Sequence, residues 1–381
     1  MSVRWASAAS PAHRLAILQL AERAAAERPD VPALQRVWAE ALDGAGQGEE
    51  ALERLAEACR RFPGDEALHS ACASALMRMG RTEEALDRAR LWLPAVWAQK
   101  LQFRLLIRAG RTERLAELEP ALRKADPADP DLIEYRASQL RDAPEALLQA
   151  CDEILESHPA ATHLLYHKAL ALARLGRSGA AEAVMGLDRF LRIVRLDPPA
   201  PYRDEERFRA ELANEIRENP TLHSDPAGHA TRRGRRTAAF PLPGDSAGAA
   251  LLEGVRDEVS AYADGLTGDH PFVKARPLEA GLRSWALLFD SRGHQLLHHH
   301  PGAWLTGVYY VTAPEAAKRP GALRIGSVPA WLGRPAPWKV VDVEPVPGTL
   351  VLFPSFVPHE TLPTGSDETR ISVAFDVAAE G

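Results

Sequence analysis

The chain has 381 residues, 46 Lys+Arg against 52 Asp+Glu, a formal net charge of −6 and 46% apolar residues. Single cores stop growing at roughly 250–300 residues, so two domains are expected. Mild acidity argues against a nucleic-acid partner. Three cysteines (Cys59, Cys72 and Cys151) are too few for a disulfide framework and read as small core residues. No apolar run is long enough to cross a membrane, and Met1 to Pro11 lacks a signal-peptide layout, so a cytoplasmic protein is expected.

Proline divides the chain. Ten of the 30 prolines fall in residues 1–197 and twenty in 198–381. The first part, rich in Ala, Leu, Arg and Glu, reads as helices; the second, rich in Pro, Gly, Val, Phe and Trp, reads as strands and loops. The seam is the stretch Leu196 to Pro201. Within the first part a pattern repeats: Gly46-Gln-Gly-Glu-Glu-Ala-Leu52, then Gly80-Arg-Thr-Glu-Glu-Ala-Leu86 34 residues later, then Gly110-Arg-Thr-Glu-Arg-Leu115. Weaker copies begin at Ala143 and Gly176. Pro29, Pro63, Pro94, Pro127 and Pro159 precede these turns by 16 or 17 residues. Gly past the end of one helix, Glu in the first turn of the next and a small-large Ala-Leu pair describe a helix–turn–helix unit. One unit cannot bury its own apolar face, but stacked copies can. These residues resemble tetratricopeptide repeats over 10–197. The resemblance implies an all-α solenoid whose concave face binds a protein or peptide.

Residues 202–222 (Phe208, Leu212, Ile216) and 247–266 (Leu251, Val255, Val259) read as amphipathic helices. Between them, His229 to Thr237 is a basic cluster, read as a solvated loop or as arginines reaching an anionic site. Strand patterns follow at Leu305 to Thr312, Gly348 to Phe353 and Arg370 to Phe375. Trp285, Trp304, Trp331 and Trp338 read as core or rim.

Five of the 13 histidines sit at two places: His294, His298, His299 and His300 before one strand pattern, and His359 after another. Residues i and i+2 of an extended chain share a face, so His298 and His300 can bind one metal, with His359 completing the set. Imidazole suits Fe, Zn, Cu and Ni, and spacing does not choose among them. His299 points to the opposite face, and His294 lies too early.

The run from His298 to Val311, with Pro320-Gly-Ala-Leu323, Pro347 to Ser355, Pro358-His-Glu360 and Arg370-Ile-Ser372, resembles the 2-oxoglutarate/Fe(II)-dependent oxygenase superfamily. The match covers about 210–378. It implies a double-stranded β-helix (jelly roll) with flanking helices over 205–381, giving a multidomain α + β chain. It also implies Fe(II), 2-oxoglutarate and dioxygen as cofactor and co-substrates. The superfamily usually binds iron through His-x-Asp/Glu and a distal His; here His300 stands where the carboxylate is expected. Either His300 ligates, or His298 and His359 bind with water in the third place. The resemblance gives Arg370 the far carboxylate of 2-oxoglutarate, with Ser372 as a further donor. Tyr310 is the third candidate on the co-substrate; Pro301-Gly302 interrupts the parity count and leaves open which strand face looks inward. The implied reaction is hydroxylation, of a protein or peptide side chain presented by the repeats. The alternatives are a small-molecule oxygenase and a repeat scaffold with a degenerate jelly roll.

Overall fold

The computed structural model describes residues 3–5, 11–44, 46–93, 95–108, 114–219, 221–224, 230–237, 240–241, 246–314, 321–366 and 368–380. The expected turn at Gly110 and the prolines at 94 and 320 lie outside them. Contacts group the chain into two compact units, Ala9–Tyr135 and Arg136–Gly381 with Met1–Ala8.

The first unit is helical: Pro11–Glu27, Pro32–Gly44, Gly48–Arg61, Glu66–Arg78, Thr82–Arg90, Val96–Arg108 and Leu115–Ala125. The repeated glycines close helices as the pattern requires. Gly46 and Gly80 have φ of +83° and +75°, the left-handed region that favours glycine. Beside them Gln47 N–H donates to Leu42 O and Arg81 N–H to Leu76 O, both at 2.9 Å. The Ala51-Leu52 and Ala85-Leu86 pairs are buried in one cluster with Leu55, Leu68 and Leu76. Each helix therefore buries its apolar stripe against its neighbours in a helical repeat array.

The second unit keeps the same motif: Gly176 has φ +72° and Arg177 N–H donates to Leu172 O at 2.9 Å. Its helices Pro144–Ser157, Leu164–Arg174 and Ser178–Met185 belong by contact with a sheet, although their sequence continues the repeat pattern. Leu165, Ala169, Leu172 and Met185 share one core with Leu305, Val351 and Phe375.

The strands are β1 (Arg4–Trp5), β2 (Arg192–Arg195), β3 (Leu222–Ser224), β4 (Thr231–Thr237), β5 (Glu279–His298), β6 (Leu305–Thr312), β7 (Leu323–Ile325), β8 (Val341–Val343), β9 (Thr349–Pro354), β10 (His359–Thr361) and β11 (Arg370–Ala379). They follow the order β2-β9-β6-β11-β5-β10-β7-β8, with β4 also on β5. Every pairing but that of the short β1 is antiparallel, and the sheet curls as in a double-stranded β-helix. Helices Glu205–Arg217 and Ala247–Gly265 cover it, burying Phe208, Leu212, Leu251 and Val255. Their starts are set by caps: Asp204 accepts from Arg207 N–H at 2.7 Å and Ser246 from Ala249 N–H at 3.1 Å.

Two segments differ from expectation. The helical half contributes the edge strand β2, which pairs with β9 through Arg192 to Arg195. The basic cluster is not a loop: its described part forms β4, paired with β5, with Arg232 and Arg233 exposed and Arg236 packed over the Trp285 ring.

Candidate metal centre

Strand β5 is twenty residues long and ends at His298, which pairs in register with His359 of β10. His300 lies two residues further on, held by its own N–H donating to Ser355 O at 2.9 Å. The candidate ligand atoms of His298, His300 and His359 all lie within 4.8 Å of one another. Ring centroids are 4.3 Å apart for His298–His359 and 5.1 Å for each of the other pairs. His299 turns away, its ring 5.1 Å from that of Tyr166, and His294 is outside the group.

Second contacts orient the rings. His298 Nδ1 meets Leu296 O at 2.7 Å and His359 Nδ1 meets Val357 O at 3.2 Å. A carbonyl only accepts, so both rings carry their proton on Nδ1 and leave Nε2 as the lone pair. His300 Nδ1 lies 2.7 Å from Asp376 Oδ1, while its Nε2 is buried without a hydrogen-bond partner. Burial, reinforced by the neighbouring His300, lowers His298 to about 3; burial and the other two imidazoles put His359 well below its ordinary value. Both stay neutral at physiological pH, as metal ligation requires. Burial alone would raise Asp376, but His300 and Arg283 outweigh it and hold the carboxyl below its usual value. Three imidazole nitrogens within 4.8 Å of one another fit a divalent transition metal.

The wall beside the histidines suits an anion. Along β11, Arg370, Ser372, Ala374 and Asp376 alternate onto one face, paired across to Phe289, Leu287, Trp285 and Arg283 of β5. Ser372 pairs with Tyr310 of β6, which settles the parity left open above: Tyr310, Val308 and Thr306 line the pocket. Tyr309 faces the other way, toward Phe208. Arg370 is 1% exposed and has no ion pair among the described residues. It donates through Nη1 to Gly321 O, its guanidinium lies 4.8 Å from the Phe289 ring centre, and its Nε has no hydrogen-bond partner among the described residues. The Tyr310 hydroxyl is buried beside it, also without a partner. Burial lowers Arg370 to about 10 and raises Tyr310 to about 12. A buried guanidinium and a phenol with open hydrogen-bonding capacity are what a carboxylate ligand completes.

Sequence reasoning did not assign four contributors to the site. Asp376 was within reach, since the parity of Arg370 and Ser372 carries on to it. Trp285 stacks on His300 at 5.7 Å with a 10° interplanar angle, and Arg236 of β4 lies 4.4 Å over the other partner in that stack, the Trp285 ring. Gly321 sits in the quoted Pro-Gly-Ala-Leu run, but its carbonyl reaches Arg370 only through the fold. Of the other tryptophans singled out above, Trp304 and Trp338 are buried and Trp331 is exposed.

Residues 283–376 match the family model described as "Putative 2OG-Fe(II) oxygenase". This segment is a 2-oxoglutarate/Fe(II) oxygenase domain. Residues 12–92 match the model of the bacterial transcriptional activator domain. Among solved structures, a Pseudomonas putida prolyl-4-hydroxylase is 20% identical, covering 51% of this chain and 96% of its own, with a TM-score of 0.37. A prolyl hydroxylase from Trichoplax adhaerens, solved with a hypoxia-inducible-factor peptide fragment, is 15% identical over 54% of this chain and 91% of its own, TM-score 0.36. A tetratricopeptide repeat protein from Parabacteroides merdae is 15% identical over 46% of this chain and 72% of its own, TM-score 0.37. No curated protein matches the chain. Among the described residues no helix is long and apolar enough to cross a membrane.

Proposed function

We propose that His298, His300 and His359 hold Fe(II), that Arg370, Ser372 and Tyr310 hold 2-oxoglutarate, and that the enzyme hydroxylates a protein or peptide side chain engaged by its helical repeats. One observation carries the reading of the site: three convergent imidazoles share a pocket with a buried arginine that no carboxylate among the described residues neutralises. When bound, the metal supplies oxygen activation coupled to decarboxylation of 2-oxoglutarate. The chain's own part is to bind, orient and exclude water. Arg370 and Ser372 fix the far carboxylate, Tyr310 adds a hydroxyl donor, and Leu287, Phe289, Val308, Leu323 and Phe353 keep the cavity apolar. The repeat array is the support for a polypeptide substrate: such arrays offer long surfaces for extended chains.

The test is turnover. Intact protein with Fe(II) and 2-oxoglutarate should form succinate on exposure to air, and a peptide library should yield members heavier by one oxygen atom. Succinate without any oxidised peptide, alongside oxidation of a small molecule, would remove the polypeptide part. Cutting the chain at 197 is not a clean test, because Leu165, Leu172 and Met185 belong to the sheet's core.

A further inference from the structure

Three imidazoles carry no charge to offset a dication, yet this site has a negative charge one step back. We propose that Asp376 is the anionic member of the metal centre, acting through His300 as a positioning and charge-supplying residue rather than as a ligand. The inference rests on the ligand set proposed above.

Four observations support it. Asp376 follows Arg370, Ser372 and Ala374 on the pocket face of β11, with only 5% of its side chain exposed. Its Oδ1 lies 2.7 Å from His300 Nδ1, at ion-pair distance, although the ring N–H is not aligned for a linear hydrogen bond. The coupling is therefore mainly one of charge at close range. Trp285 lies parallel to His300, with ring centres 5.7 Å apart and planes 10° apart, and bounds that ring on one side. His298 and His359 differ: their Nδ1 atoms meet backbone carbonyls, which are neutral. Only His300, the residue standing where the family resemblance expects a carboxylate, is backed by one. The other carboxylate oxygen, Oδ2, is 3.2 Å from Arg283 Nη2, but that side chain is 78% exposed. Solvent screens Arg283 more than it screens the inward pair, so Arg283 offsets only part of the carboxylate's charge, and that part counts most at low salt. The centre thus combines three neutral donors with one adjacent negative charge, the same net charge as two histidines and one coordinating carboxylate. A negative charge this close to a ligating imidazole favours the bound dication, and partners behind metal ligands are worth on the order of tenfold or more in metal affinity.

The probe is Co(II) alone, titrated into the intact metal-free protein and followed by calorimetry and by its visible spectrum, with the Fe(III)/Fe(II) midpoint measured separately. Asp376→Asn keeps the shape and an acceptor oxygen but removes the charge. It should weaken Co(II) binding about tenfold or more and raise the iron midpoint, since Fe(III) loses more than Fe(II) when a negative charge goes. Arg283→Ala, a surface change, should act oppositely: a few-fold tighter Co(II) binding at low salt, vanishing at high salt. A folded Asp376→Asn with wild-type Co(II) affinity and midpoint overturns the inference. If that variant does not fold, unchanged Co(II) affinity in Arg283→Ala overturns it. His298→Ala separates the two levels. Loss of metal there with no effect of Asp376→Asn refutes only the role of Asp376; retention of metal in His298→Ala refutes the ligand set itself.

Discussion

Replacing Arg370 with methionine should weaken co-substrate binding while leaving the free protein as stable as before or more so. The guanidinium is fully buried, and its fall from 12.5 to about 10 corresponds to a charged form disfavoured by about 3 kcal/mol relative to the unfolded chain. The sign is that of a depressed base: the penalty is fully present at neutral pH and is relieved only as pH rises from about 10 toward 12.5. Methionine removes the penalty and fills much of the volume. Against this, Gly321 O loses its donor, at about 1–2 kcal/mol. A net gain of about 1–2 kcal/mol should remain in the metal-free, ligand-free protein, read as a higher urea midpoint. The co-substrate experiences the opposite change. Two charge-assisted hydrogen bonds to a carboxylate, at about 1.5–3 kcal/mol each, amount to a loss of at least about a hundredfold in 2-oxoglutarate affinity. Calorimetry with Co(II)-loaded protein reads it directly. Arg370→Lys, with a point charge but no planar fork, should fall between. Destabilisation of the free protein together with unchanged 2-oxoglutarate affinity would mean that Arg370 is structural, and the reasoning would fail.

Gly321→Ala should disturb the same arginine from the other side. The residue has φ +71°, and an added Cβ would lie 2.7 Å from Arg370 Nη1; about a tenfold loss of 2-oxoglutarate affinity is expected by calorimetry, with metal affinity intact. Gly307→Ala should destabilise the sheet by about 1–3 kcal/mol in urea titration, because its Cβ would meet the Phe375 ring and Val351 O. In metal-free protein, acidification should destabilise the fold. The unfolded chain takes up protons near pH 6.5, while His298 and His359, both depressed by burial, do not, so stability falls from about pH 6.5 toward 3 by up to about 2.7 kcal/mol per pH unit. Urea midpoints of wild type and of a His298→Ala, His359→Ala double variant between pH 7.5 and 5 check this; equal slopes would refute it.

Much of the molecule was legible in its sequence because short-range rules govern it. Repeated Gly46, Gly80 and Gly176 mark helix ends because the left-handed turn needs glycine whatever surrounds it. The i and i+2 spacing of His298 and His300 is a property of extended chain, and it holds even though β5 itself stops at His298. The strands at Leu305 to Thr312, Thr349 to Pro354 and from Arg370 onward were legible from β-branched and aromatic residues, whereas the long β5 that ends at His298 was not.

Tertiary structure decided what depends on partners far apart in the chain. Which face of β6 looks inward could not be read across the Pro301-Gly302 turn; register with β11 places Tyr310 opposite Ser372 and so inside. The helices over 144–185 look like their repeat neighbours locally. By contact they group with the sheet, because their apolar residues share one core cluster with Leu305 and Val351. His300 in place of a carboxylate reads as a departure in one dimension. In three it stands beside Asp376, 76 residues later, because the turn that carries His300 leads into β6, which pairs with β11 through Thr306 and Asp376. Sequence alone determined which side chains are present and which local shapes they favour. Only the pairing of distant strands determined which charges face one another in a space too dry for water to screen them.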